Sequence, residues 1–125
     1  MSQTASNPSP GFRNHPEHTI TVKPYDKHVT VRSNGAVIAS SDNALELKEH
    51  VYPPVLYVPF ADIDFGKLSA TDTSTHCPFK GDASYWSVKG GARDAMWAYQ
   101  HPFDEMLEIK DYGAFYPDRV TIETE

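Results

Sequence analysis

From Thr19 onward, apolar side chains recur at every second position in short stretches: Ile20 and Val22, Val29 and Val31, Leu45 and Leu47. Period-two alternation puts one set of side chains on one face of an extended chain, so these stretches predict half-buried β-strands. Asn34-Gly35 lies between residues 29–33 and 36–40. Both residues accept the positive backbone angles of a two-residue turn, and the pair predicts a β-hairpin. Gly90-Gly91 predicts a second hairpin between residues 84–89 and 92–98, carrying Trp86, Val88, Met96 and Trp97 on its rungs. Pro53, Pro54 and Pro59 bound a short strand at residues 55–58, because proline has no amide proton for a ladder. Residues 60–68, with Asp62, Asp64 and Gly66, predict one helical turn or a loop, and residues 102–109 a short helix. Residues 114–124 predict a last strand interrupted at Pro117.

About eight short strands with closely spaced turn signals match a mainly β fold better than a parallel sheet with crossover helices. The expected architecture is a single compact domain of short antiparallel strands, as a tent-like fold, a sandwich or an open barrel, with one or two short helices. A chain of 125 residues, 39% hydrophobic and 12% aromatic, has material for one core. Residues 1–14 contain Ser2, Ser6, Ser9, Pro8, Pro10 and Gly11 but one aromatic, Phe12. Such a segment buries too little surface to offset the entropy of ordering, so it is expected to be a flexible tail, with the domain spanning residues 15–125.

The net charge of −6 and pI near 5.4 exclude nucleic acid and anionic membrane surfaces as favoured partners, since both demand clustered Lys and Arg. No apolar run approaches the roughly 20 residues that cross a bilayer, and Met1-Ser2-Gln3-Thr4 lacks the features of a signal peptide. The expectation is a soluble, cytoplasmic protein. Its single cysteine, Cys77, cannot form an internal disulfide, in keeping with a reducing compartment.

Most of the candidate chemistry lies at residues 71–86, which hold the cysteine, His76, Lys80, two adjacent rings and a run of hydroxyls. If Cys77 is a nucleophile, His76 is the obvious base, yet neighbours in extended backbone point to opposite faces. A base would then come from elsewhere, His50 or His101 for instance, or Lys80 would lower the thiol pKa by its charge. The competing reading is a small buried thiol that acts as a hydrophobe. One cysteine with scattered histidines lacks the ligand spacing of structural zinc, and His50, His76 and His101 as a three-ligand site compete with ordinary surface histidines, so no metal is assigned. Lys80-Gly81 lacks the order and flanking glycine of a phosphate loop. Asp62 and Asp64 would share a face if extended, as two-metal nucleotidyl transfer requires, but acidic residues in turns commonly cap backbone amides. Thr73 and Thr75 are candidates to line one wall of a ligand pocket, with Tyr85, Trp86 and Trp97 as the others, against the alternatives of loop capping and core packing. Arg119 is a candidate anchor for a carboxylate or phosphate, against an internal ion pair.

The run Thr71-Asp72-Thr73, then residues 75–86 reading Thr-His-Cys-Pro-Phe-Lys-Gly-Asp-Ala-Ser-Tyr-Trp, resembles the signature of the DUF427 family of small proteins. The likeness extends from about His15 to Ile122 and takes in residues 34–39, 47–49, 52–59, 97–99 and 115–120. It implies one mostly β domain, related in shape to tent-like proteins, without an established activity. Such domains are sometimes labelled nucleotidyltransferase-like. Tent-like relatives often hold zinc with four cysteines, and this chain retains only Cys77, a departure that favours an organic ligand. Three functional classes follow: a small-molecule-binding domain or enzyme built around His76, Cys77 and Lys80, with Thr73, Thr75, Tyr85, Trp86 and Arg119 binding the ligand; a nucleotidyltransferase-like enzyme; and a structural protein that forms a homodimer through a sheet edge.

Overall fold

In the computed structural model, which describes residues 6–125, the period-two stretches become strands. They are β1 (Ile20–Pro24), β2 (Val29–Ser33), β3 (Ala36–Ser41), β4 (Leu45–Glu49) and β5 (Val55–Pro59), followed by β6 (Leu68–Cys77), β7 (Gly81–Val88), β8 (Met96–Ala98), β9 (Tyr112–Phe115) and β10 (Thr121–Thr124). Seven form one sheet in the order β1-β4-β5-β9-β8-β7-β6, and three form another in the order β10-β2-β3. Every pairing is antiparallel. The domain is therefore mainly β, as expected.

Asn34 and Gly35 take φ values of 52° and 82° and turn β2 into β3, as this residue pair predicts. The second hairpin pairs Tyr85 with Trp97 and Trp86 with Met96. At the turn the Val88 amide donates to the Ala92 carbonyl, while on its other edge Val88 pairs with Leu68 of β6. Residues 114–124 are not one strand. The chain ends β9 at Phe115, turns at Pro117 with Arg119 and Val120 amides donating to the Tyr116 carbonyl, and enters the other sheet as β10. Residues 60–68 contain two 3-10 turns, and the expected helix near residue 104 is a 3-10 segment, Asp104–Ile109, broken at Met106.

Over its described part, the segment expected to be a tail packs on the domain. Residues 10–14 form α1 (Pro10–Asn14), with Ser9 as N-cap and proline in the first turn, where its missing amide proton costs nothing. The Ser9 hydroxyl donates to the Pro78 carbonyl, the Asn7 amide donates to Asp104, and Gly11 sits so close to Phe79 that a Cβ there would lie 2.6 Å from the ring. Polar contacts to the body of the domain order this segment without a large apolar surface. Residues 1–5 of that expectation lie outside the described residues.

Alternation along each strand divides the core in two. Val31, Ile38, Val58, Met96, Phe115 and Val120 fill the space between the sheets, while Leu47, Tyr57, Tyr85, Tyr99, Met106 and Ile109 cover the other face of the large sheet. That second face is concave. Lys80, in the β6–β7 turn, reaches Glu49 at the end of β4 with a 2.6 Å hydrogen bond, and Phe79 stacks on His18 with centroids 4.1 Å apart. Strands far apart in sheet order thus meet side chain to side chain, while no ladder joins β1 to β6. The sheet curls without closing.

Candidate functional site

The curl leaves an unzipped seam. Pairing between β5 and β9 stops after two rungs, Val58 with Gly113 and Pro59 with Tyr112. A Cβ on Gly113 would lie 2.5 Å from Met96 Sδ and 2.9 Å from Ile63 Cδ1, so the absent side chain is what lets these two core side chains pack over the last rung. Beyond it, residues 55–57 and 114–116 run on with no ladder between them. A hollow of about 260 Å3 opens there on the concave face, with Tyr57, Tyr85, Trp97, Tyr99 and Tyr116 among its walls and Glu49 and Lys80 at its charged end.

The rings are linked by their polar atoms. Trp97 Nε1 donates to the Tyr57 hydroxyl at 3.3 Å, Tyr116 donates to Tyr85 at 3.5 Å, and Tyr85 shares a 2.8 Å hydrogen bond with Thr75. Trp97 and Tyr116 lie 4.5 Å apart at their centroids. Burial pushes the Tyr57 and Tyr99 phenols well above their usual range. Tyr116 is pushed up to about 12 by burial and by its bond to Tyr85. All three hydroxyls therefore keep their protons at neutral pH and can donate hydrogen bonds.

At the charged end, Glu49 Oε1 accepts from Lys80 and Oε2 lies 2.9 Å from His18 Nε2. Burial raises the Glu49 carboxyl, but the hydrogen bonds and charges of Lys80 and His18 outweigh it and hold the group below its ordinary value of 4.5. Lys80 Nζ also lies 3.8 Å from Cys77 Sγ. The thiol is half-buried and packs with the rings of the concave face.

Of the residues singled out in sequence, Lys80, Tyr85 and Trp97 line this hollow, and Thr75 and Cys77 adjoin it through their contacts with the Tyr85 hydroxyl and the Lys80 ammonium. His76 does not. Its ring points outward, 2.7 Å from Asp82 and edge-on to Phe103, while Cys77 points inward, as the opposite-face argument requires. Trp86 lies on the other face of the sheet, with centroids 5.9 Å from Phe60 and from Phe65. Tyr85 and Trp86 are neighbours on one strand, so one pocket cannot hold both rings. Thr73 and Arg119 serve the loop that joins the two strands of the second hairpin. Thr71 and Thr73 each donate to Asp94 at 2.7 Å and thereby lower its pKa, and Arg119 donates to the Arg93 and Asp94 carbonyls while its guanidinium lies over the Tyr116 ring at 4.6 Å. Arg119 thus backs one wall of the hollow from outside.

Asp64 accepts from the Gly66 amide, the turn-holding role weighed against a metal pair, and Asp62 accepts from the Ser41 hydroxyl. Among the described residues, no three His, Cys, Asp or Glu side chains gather as a metal site would need. None of the described helices is long and apolar enough to cross a membrane.

Glu49, Tyr57, Tyr99 and Tyr116 belong to the hollow and were not singled out in sequence. A usable signal was present for two of them, Tyr57 and Tyr99. Trp97 and Tyr99 alternate on β8 and its extension, and Tyr57 is the central ring of a proline-bounded strand. Glu49 carried no local signal, because its partner lies 31 residues away.

A family model described as a domain of unknown function, DUF427, matches residues 21–125. No curated protein matches the chain. The chain belongs to the DUF427 family.

Proposed function

We propose that this DUF427 domain binds a small organic molecule in the hollow along the β5–β9 seam. One observation carries the reading: phenol hydroxyls and an indole N–H converge on an open space beside a half-buried ion pair, in a place where the sheet forgoes its ladder. Core packing alone does not call for that combination, whereas large rings with a few convergent polar groups characterise ligand sites. At about 260 Å3 the hollow is smaller than the usual range for drug-sized ligands, so its occupant there is about the size of one or two rings. The Tyr57, Tyr85 and Tyr116 hydroxyls orient the molecule beside the Lys80–Glu49 pair, and Trp97 supplies a stacking face.

The test is an NMR fragment screen on 15N-labelled protein. Binders should shift the amides of Tyr57, Tyr85, Trp97 and Tyr116 together, and a Tyr85→Phe variant should lose about fivefold to tenfold in affinity for the loss of one hydroxyl. Binders that shift other surfaces only, or a screen that moves none of these amides, would sink the proposal.

A second reading adds nucleophilic chemistry at Cys77, favoured by the ammonium 3.8 Å from its sulfur. It requires Cys77 to react with iodoacetamide at neutral pH faster than glutathione does, and to lose that advantage in Lys80→Met. Slower labelling than glutathione rejects it.

A further inference from the structure

The hollow beside Lys80 does not end at the seam. A second hollow of about 510 Å3 adjoins it, walled by Pro54, Leu56, Phe115, Pro117 and Ile122. Tyr52, Pro53, Val55 and Trp97 line both. Alternation explains the change of character across this shared wall: Val55 and Tyr57 face the tyrosine side, whereas Leu56 and Phe115 face the core between the sheets. The two hollows are a polar and an apolar chamber of one cleft.

The charges of the polar chamber are already matched. Lys80 occupies one oxygen of Glu49 and His18 the other, so a charged head group would have to break that arrangement or enter without a counter-ion. What remains for a ligand is neutral. The Tyr57 hydroxyl, having accepted from Trp97, retains a proton to give, and the Tyr116–Tyr85 contact at 3.5 Å is long enough to yield to a better acceptor.

We propose that the cleft takes a neutral amphipathic molecule, with a carbonyl or similar acceptor held by the tyrosine hydroxyls and an alkyl or aryl tail laid across the seam between Leu56, Phe115 and Ile122. This rests on the binding reading given under Proposed function and names its ligand class. Pro53 and Pro54 suit the rim, since proline offers apolar surface with no amide proton to leave unpaired.

The experiment uses the full chain carrying Trp86→Phe, which leaves Trp97 as the one tryptophan and reporter. Its emission is titrated with N-alkylacetamides from ethyl to octyl, and with alkanoates and alkylammonium ions of matched length. Affinity for the amides should rise about fourfold per methylene until the apolar chamber is full and then level off. Pro54→Asp, at an exposed position, should reduce that gain per methylene. Affinity independent of chain length, with binding still weakened by Tyr85→Phe, overturns the tail and leaves the binding reading intact. Tenfold tighter binding of either charged series overturns the neutral head. If no member of any series alters Trp97 emission and the fragment screen is also silent, both proposals fall.

Discussion

Replacing Lys80 with methionine removes the ammonium that fastens the β6–β7 turn to β4 but keeps most of the apolar stem. The side chains of Lys80 and Glu49 are only 10% and 18% exposed, so the charge left on Glu49 stays largely out of water. Breaking a fully buried pair costs about 3–5 kcal/mol. Here His18 still holds the second carboxylate oxygen and some solvent reaches the site, which lowers the expectation to about 2–3 kcal/mol. Stability of a domain this size is about 5–15 kcal/mol, and each kcal/mol is worth roughly 3–5 °C in Tm, so Lys80→Met should melt about 10 °C lower. Urea unfolding at neutral pH measures the difference directly. The double variant Lys80→Met with Glu49→Met should recover part of the loss, because the unpaired carboxylate is gone and only the His18 ring is left without its partner. A loss below about 1 kcal/mol for Lys80→Met would refute the reasoning, since it is what an exposed, solvated pair gives.

Three further outcomes follow from the same geometry. The Glu49 carboxyl is held below its ordinary value of 4.5, so its contribution is complete above that value and is lost as pH falls through the lower, folded-state value. Urea midpoints of wild type and Glu49→Gln should therefore differ most at neutral pH and converge in acid; a gap that stays constant down the acid limb contradicts the assignment. Gly113→Ala should cost about 1–3 kcal/mol in chemical denaturation, because its Cβ meets the buried side chains of Met96 and Ile63, which must shift within the core to admit it. A neutral Gly113→Ala would mean that the seam's last rung has slack. Tyr85→Phe should cost about 1 kcal/mol, as Thr75 loses its partner, and should speed amide exchange in β6 and β7; unchanged exchange would count against Tyr85 as a hub.

How far these features were legible in the sequence depended on how local their causes are. Asn34-Gly35 specified its own turn, and Ile20/Val22 and Leu45/Leu47 specified both strand and face, because period-two alternation is a property of neighbours. β6 shows the limit. It is an edge strand whose Thr and Ser side chains are mostly solvated on both faces, so no apolar alternation marks it. α1 was masked differently: Ser9-Pro10 is a helix-start signal, but the surrounding composition suggested a tail, and the contacts that order it come from Pro78, Asp104 and Glu105.

For the proposed site, the segment at residues 75–85 supplies Lys80 and Tyr85 to one wall of the hollow, and the opposite-face rule separated His76 from Cys77. The same rule, applied to Tyr85 and Trp86, would have removed Trp86 from the pocket in advance. Glu49, Tyr57 and Tyr116 come from strands that meet the segment only through the curl of the sheet. Nothing local in the sequence states that curl, since it depends on the Lys80–Glu49 and Phe79–His18 contacts between distant strands.

The most direct measurement is a crystal structure of the full chain soaked with N-hexylacetamide. The account predicts the amide carbonyl within hydrogen-bonding distance of the Tyr57 or Tyr116 hydroxyl, the hexyl chain against Leu56 and Phe115, and no ladder between residues 55–57 and 114–116. A seam zipped by backbone hydrogen bonds, or filled by its own side chains with the amide bound elsewhere or not at all, would contradict it.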